Sequence, residues 1–174
     1  MRIISYNVNG IRAAIKKGFL EWLSSNPADV ICLQEIKATA EDVDTKLFEK
    51  AGYSHYWFSA QKKGYSGVAV LTKIKPNAVK TGTGHHLSDS EGRVIELQFG
   101  DIKIINAYFP SGTSGDERQS YKYQWLDEIM DYLKKEKKKN PKIILCGDYN
   151  IADNEIDIHD PKGNKKSSGF LPVG

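Results

Sequence analysis

The apolar runs of this chain are only a handful of residues long, residues 67–71 being typical. Runs of that length suit buried strands. They are far too short for a membrane-crossing helix, which needs about 20 apolar residues. Met1 leads straight into the strand-like Arg2-Ile3-Ile4-Ser5-Tyr6 with no basic-then-apolar leader, so no secretory signal is expected. Of 174 residues, 40% are hydrophobic and 27% charged, a balance that excludes wholesale disorder and predicts one globular domain, 1–174. Cys32 and Cys146 each sit inside an apolar run and are predicted to be buried free thiols in a reducing compartment. The net charge of +3 permits an anionic partner without demanding one. Membrane, collagen-like, coiled-coil and disulfide-scaffold classes are thereby excluded.

Alternation and β-branched content predict strands at residues 2–8, 29–34, 53–59, 67–72, 78–81, 94–99, 103–108 and 142–147. The 3.6-residue period predicts helices at 13–23, 43–50 and 116–139. The last carries an apolar stripe of Tyr121, Trp125, Leu126, Ile129 and Leu133. It closes on the lysine-rich run 134–139, a solvated last turn whose cations oppose the helix dipole. Asn26-Pro27 and Asn140-Pro141 act as stops, because the residue before proline is pushed out of the helical region. His85 and His86 are predicted as surface loop residues, and the chain beyond Asp148 as loop. The order is a βαβ-like opening, a run of antiparallel-type strands, a helix and a strand, which is mixed α/β with helices layered on sheets.

The informative polar residues stand at the C-terminal ends of apolar strands, the edge where open α/β sheets bind ligands. Three ends stand out: Ser5-Tyr6-Asn7-Val8-Asn9-Gly10, Leu33-Gln34-Glu35-Ile36-Lys37 and Cys146-Gly147-Asp148-Tyr149-Asn150. A carboxylate directly after Val30-Ile31-Cys32-Leu33 needs a cation, a hydrogen-bond network or a metal. Glu35 is therefore a candidate ligand for magnesium, which prefers carboxylate oxygens with water and phosphate, or else a cap on the following turn. Asp148 and Asn150 form either an ordinary Asx-turn or a proton acceptor with its donor partner. Asn7 and Asn9 are neutral amides able to orient carboxylates or contact phosphate oxygens. With Lys37 and the weaker end at Tyr108, and without a nucleophilic serine or cysteine, this set points to metal-assisted hydrolysis of a phosphate ester.

In order along the chain come Tyr6-Asn7-Val8-Asn9-Gly10, Leu33-Gln34-Glu35-Ile36-Lys37, Tyr65-Ser66-Gly67-Val68, Glu91-Gly92-Arg93-Val94, Ala107-Tyr108-Phe109-Pro110, Gly147-Asp148-Tyr149-Asn150 and Pro161-Lys162-Gly163-Asn164-Lys165-Lys166. Together they resemble the exonuclease III family of apurinic/apyrimidinic endonucleases, within the exonuclease–endonuclease–phosphatase superfamily. The resemblance implies part of a four-layered α/β sandwich, two mixed sheets flanked by helices. It implies Mg2+-dependent hydrolysis, with Mn2+ as the substitute metal, of the phosphodiester 5′ to an abasic site, together with 3′-repair exonuclease activity on double-stranded DNA carrying abasic sites or 3′ blocks. By position, Asn7, Tyr108, Asp148 and Asn150 match catalytic residues. Glu35 and Asn9 match metal-site residues, and Lys37 the lysine of that network. Tyr65, Arg93, Asn164, Lys62 and Lys63 lie in segments that grip the DNA backbone. Backbone contacts suit an enzyme tolerant of sequence. With no leader, a cytoplasmic location is expected.

The family's Ser-Asp-His element is not matched; His55, His85, His86 and His159 lie in no corresponding motif. The chain is accordingly read as the N-terminal portion of such a domain, with a C-terminal part as a candidate partner and with activity expected to be impaired without it. A non-catalytic DNA- or partner-binding module and another phosphoesterase of the superfamily are the alternatives.

Overall fold

The computed structural model describes residues 1–112, 116–139, 142–165 and 167–170. Its strands form two four-stranded mixed sheets. The first has the order β1-β2-β4-β3, from β1 (Ile3–Asn7), β2 (Val30–Gln34), β3 (Ser54–Phe58) and β4 (Val68–Thr72). The second has the order β5-β6-β7-β8, from β5 (Ala78–Thr81), β6 (Val94–Phe99), β7 (Ile102–Tyr108) and β8 (Ile143–Asp148). The pairs β1–β2 and β7–β8 are parallel and the others antiparallel.

Side-chain alternation sorts the residues into layers. On β2, Ile31 and Leu33 point outward and pack under α1 (Ile11–Lys16), α2 (Phe19–Ser25) and α3 (Lys46–Lys50), against Ile11, Phe19, Leu23 and Phe48. Val30 and Cys32 point the other way, with Val68 and Val70 of β4, into a core shared with Ile95, Leu97 and Ile104 from the facing sheet. On β7, Ile105 and Ala107 face the long helix α5 (Asp116–Lys139) through Trp125, Ile129 and Tyr132. The result is helix, sheet, sheet, helix, the four layers expected.

Two amides cross the dry middle layer. Asn106 is 0% exposed; it donates to the backbone oxygens of Leu33 and Ala69, both at 3.0 Å, and accepts from Gln34 Nε2 at 2.8 Å. A polar group is tolerable there only because each of its atoms is satisfied.

Strand boundaries agree with the sequence pattern to within one or two residues, whereas the helices differ in instructive ways. The single helix expected at 13–23 is two helices broken at Lys17 and Gly18. Gly18 adopts φ 96, a left-handed geometry that glycine reaches without a steric cost, and it caps α2. The helix expected at 43–50 shrinks to α3. It is preceded by a 3₁₀ turn at Ala40–Asp42 that Thr39 and Asp42 close with a capping box. His86 begins a short helix, α4 (His86–Ser90), instead of lying in a loop. On α5 the fully buried positions are Lys122, Trp125, Ile129, Tyr132 and Glu136, a stripe rotated from the one expected. The stop at Asn140-Pro141, Lys166 and the last four residues fall outside the described residues. Cys32 and Cys146 are free thiols as expected; Cys146 is only half-buried, and it contacts Cys32 across the sheets. Among the described residues no helix is long and apolar enough to cross a membrane.

The lysine-rich end of α5 is not uniformly solvated. Glu136 is buried, 2.5 Å from Lys103 Nζ and 2.9 Å from Lys139 Nζ. Burial would raise its carboxyl; the two ammonium groups outweigh this and hold it down at about 2. Because the folded value lies below the ordinary 4.5, this stabilisation is complete above that pH and disappears as pH falls toward 2. Glu136→Gln should therefore flatten the pH dependence of stability in that window, as read by urea titrations at several pH values. Asn106→Ala should cost about 2–3 kcal/mol in the same measurement, since it strands partners in both sheets. A loss under about 0.5 kcal/mol would show that the amide bridge does not hold the sheets together.

Candidate active site

The two parallel ladders carry their polar ends to one edge of the sandwich. Asn7 is level with Gln34 in the first sheet, and Tyr108 with Asp148 in the second. The alternation that sends Cys32 and Cys146 into the middle layer also sends Asn7, Gln34, Tyr108 and Asp148 toward it. β1 and β8 are the neighbouring edge strands of the two sheets.

Asn7 is the centre of the constellation. Its Nδ2 donates to Glu35 Oε2 at 3.0 Å and to Asp148 Oδ2 at 2.7 Å. Its Oδ1 accepts from the Asn9 backbone N–H at 2.9 Å, which fixes the orientation of the amide. One neutral donor thus lies between two carboxylates from different sheets. Asp148 Oδ1 accepts from the Asn150 N–H at 3.0 Å, and Asn150 Nδ2 donates to the Phe109 carbonyl at 2.8 Å. Gly147, just before Asp148, has φ 153; a Cβ there would fall 1.8 Å from the Ala107 oxygen, so only glycine lets β8 lie this close to β7.

Lys37 Nζ lies 2.7 Å from Glu35 Oε1 and 2.7 Å from Asn9 Oδ1. These two oxygens, expected as metal ligands from the sequence, converge on one cationic atom. Among the described residues there is no cluster of three or more His, Cys, Asp or Glu side chains suited to a metal. One carboxylate and one amide oxygen nevertheless fit a hard cation that keeps several waters and takes its remaining ligands from a phosphate. Burial raises the Glu35 carboxyl, but bonds from Lys37, Asn7 and the Tyr108 hydroxyl outweigh it and hold the group below its ordinary value. Burial, aided by Glu35, pushes the Tyr108 hydroxyl well above the ordinary tyrosine value, so it remains a proton donor.

Backbone strain is concentrated in the same place. Asn9, Glu35, Lys37 and Asn150 all have positive φ, between 45 and 56. Residues held in this region persist only where their surroundings over-determine them, and they gather at functional sites.

The residues expected at a DNA backbone divide. Lys62 and Lys63 are exposed, and Lys62 lies 5.4 Å from the centre of the Tyr65 ring. Tyr65 is half-buried, with its hydroxyl accepting from Arg118 at 2.8 Å. Arg93 is 1% exposed; Glu91 holds it at 2.6 Å and it donates to the Tyr108 carbonyl at 2.8 Å. Its guanidinium lies 5.0 Å from the centre of the Tyr108 ring, so it buttresses that residue from behind. Asn164 is half-buried, and its amide shapes its own turn, donating to the His159 and Asp160 carbonyls at 2.8 and 3.1 Å and accepting from Ser167 at 2.7 Å.

Sequence reasoning missed Glu91, Arg118, Tyr121 and Lys122. Glu91 binds Arg93, Arg118 at 2.9 Å and the Tyr121 hydroxyl at 3.0 Å, and these bonds outweigh its burial to hold its carboxyl low. Glu91 stood in a matching segment and Tyr121 in the apolar stripe without a role assigned, and Lys122 left a signal as a lysine at heptad spacing from Trp125 and Ile129.

A model described as the endonuclease/exonuclease/phosphatase family matches residues 4–173. The chain is 43% identical over 171 residues to an exodeoxyribonuclease of Bacillus subtilis, covering 98% of the chain and 66% of that protein. It is 43% identical over 172 residues to a DNA-(apurinic or apyrimidinic site) endonuclease of Dictyostelium discoideum, of which it covers 47%. The structure of an AP endonuclease from Archaeoglobus fulgidus superimposes with a TM-score of 0.86 at 31% identity, over 99% of this chain and 66% of that one. The chain thus spans about half to two thirds of the length of these relatives.

The Lys37 contact makes a direct prediction. Lys37→Met should raise the Glu35 carboxyl toward its ordinary value, followed by 13C NMR titration of the labelled side chain. An unchanged midpoint would show that Lys37 does not set the charge state of Glu35.

Proposed function

The chain belongs to the endonuclease/exonuclease/phosphatase family, and from that premise we propose that it carries the catalytic centre of a DNA repair nuclease. The reaction is hydrolysis of the phosphodiester 5′ to an abasic site, leaving a 3′-hydroxyl, with 3′-repair exonuclease activity at the same centre. The observation that carries this reading is the Asn7 amide joining Glu35 to Asp148 across the two sheets.

In this reading the two carboxylates have different tasks because their surroundings differ. Glu35, paired with Lys37 and next to the Asn9 amide oxygen, is the cation-holding group. Glu35 and Asn9 would hold Mg2+, or Mn2+ in its place, which when bound supplies Lewis-acid stabilisation of charge on the phosphate. Asp148 has no lysine or arginine bonded to it among the described residues; its two oxygens accept only from Asn7 and the Asn150 N–H. It retains lone pairs to take a proton from water, and the two donors keep it aimed. Tyr108, held protonated by burial and braced by Arg93, donates to a phosphate oxygen as charge grows there. Asn150 is aligned on the same side by its bond to Phe109.

DNA is the substrate favoured by the exposed cations near this edge. Lys62 and Lys63 precede Tyr65, and Arg118 joins Tyr65 at the surface end of the Glu91 network. They suit backbone phosphates and read no base. Names of the relatives above agree with this choice.

The test is nicking of a duplex with a single abasic site in the presence of Mg2+. Asp148→Asn should lower kcat by about 10²–10⁴-fold while DNA affinity is retained, because it removes the proton acceptor and keeps the shape. Unimpaired cleavage by that variant would take Asp148 out of the base role.

A further inference from the structure

Lys122 is an unusual residue for the inner stripe of a helix. It is 2% exposed and shares that stripe with Trp125, Ile129 and Tyr132. An ammonium placed there is costly without a counter-charge. Among the described residues no carboxylate lies within ion-pair distance of it. Its Nζ donates instead to the Asn150 carbonyl at 2.7 Å and reaches the Ser168 carbonyl at 3.4 Å. Burial depresses the ammonium below the ordinary lysine value, while Asp148 acts in the opposite direction. A leucine or methionine would fill the stripe without this penalty, so packing alone does not account for the residue.

What Lys122 holds is the turn that carries the proposed base. The Asn150 N–H binds Asp148 Oδ1, its side chain binds Phe109, and its carbonyl binds Lys122. The residue sits at φ 49, a conformation that its neighbours must enforce. The downstream segment closes on the same place. The Ala152 N–H donates to the Gly169 carbonyl at 2.8 Å, and a Cβ on Gly169 would lie 2.6 Å from the Asn150 oxygen.

We propose that Lys122 is a positioning residue, a buried cation that pins the Asn150 main chain and so fixes Asp148 and Asn150 in working geometry. This rests on the function proposed above. Lys122 touches no reacting atom; it acts through the carbonyl it binds.

The test uses the full-length protein and two variants, Lys122→Gln and Lys122→Arg. Amide hydrogen exchange reads the turn directly. In Lys122→Gln the Asn150 and Ala152 amides should exchange about tenfold faster while the β2 and β7 amides are unchanged, as for a local opening. In the abasic-site assay kcat should fall about a hundredfold, the scale of a small misplacement of catalytic groups, with KM within about threefold. Lys122→Arg should restore both readouts. Exchange that is unchanged, or faster everywhere, would overturn the proposal, as would a normal kcat in Lys122→Gln. If Lys122→Gln does not fold, Lys122→Arg decides: local protection and kcat near wild type support the proposal, and their loss in a folded protein overturns it. If the wild-type protein does not nick the abasic duplex, the functional reading fails by itself, and the exchange result still decides whether Lys122 pins the turn.

Discussion

Gln34 and Asn106 meet in the dry layer between the two sheets, where neither amide would be tolerable alone. Asn106 reaches across to the Leu33 and Ala69 carbonyls, and Gln34 completes its own set with Ser5 and the Cys32 carbonyl. Apolar packing on either side presses the sheets together but is indifferent to small slides. The amide network is directional and admits one register. It lies one residue before Glu35 and two before Tyr108. The separation of Glu35 from Asp148 is therefore inherited from a structural bond in the core, and Asn7 needs only to span a gap already fixed.

That dependence explains what could be read from the residues alone. Strand ends were legible because a run such as Val30-Ile31-Cys32-Leu33 announces both its burial and its stop. Asn7, Glu35, Tyr108, Asp148 and Asn150 were legible because polar groups at such stops have few other uses, and the resemblance sharpened their roles. Three things were hidden. Gly18 breaks a helix whose apolar period runs through it, since a left-handed cap leaves no trace in periodicity. Arg93 has the charge of a phosphate contact, and nothing in the sequence shows that it is 1% exposed and bonded to the Tyr108 carbonyl. Beyond Arg93, two residues away, the partners of Glu91 come from α5 and the β3–β4 loop, and no local pattern connects those.

The Glu91 network also has a consequence for how the site meets a substrate. Arg93 is in contact with Tyr108 at one end and Glu91 at the other, and Glu91 in turn holds Arg118. Arg118 and Tyr65 face outward from the same cluster. The surface expected to meet the DNA backbone and the ring expected to meet the scissile phosphate are thus parts of one hydrogen-bonded body. Rigid coupling of this kind means that a backbone seated on Tyr65 and Arg118 has its position relative to Tyr108 decided before any chemistry begins.

Charge distribution makes the same point from another direction. A buried carboxylate usually demands a cation, and Glu35, Glu91 and Glu136 each have one or two. Asp148 differs from them among the described residues: amide donors hold both its oxygens, and the buried ammonium of Lys122 sits two residues along, on the Asn150 carbonyl. A direct ion pair would lower the basicity of the carboxylate and block the lone pairs that a water needs. With the cation on the Asn150 carbonyl, no lysine or arginine occupies the remaining lone pairs of the Asp148 oxygens among the described residues. In surroundings, Asp148 is thus set apart from the carboxylates paired with cations, and that difference is what the proposed base role draws on.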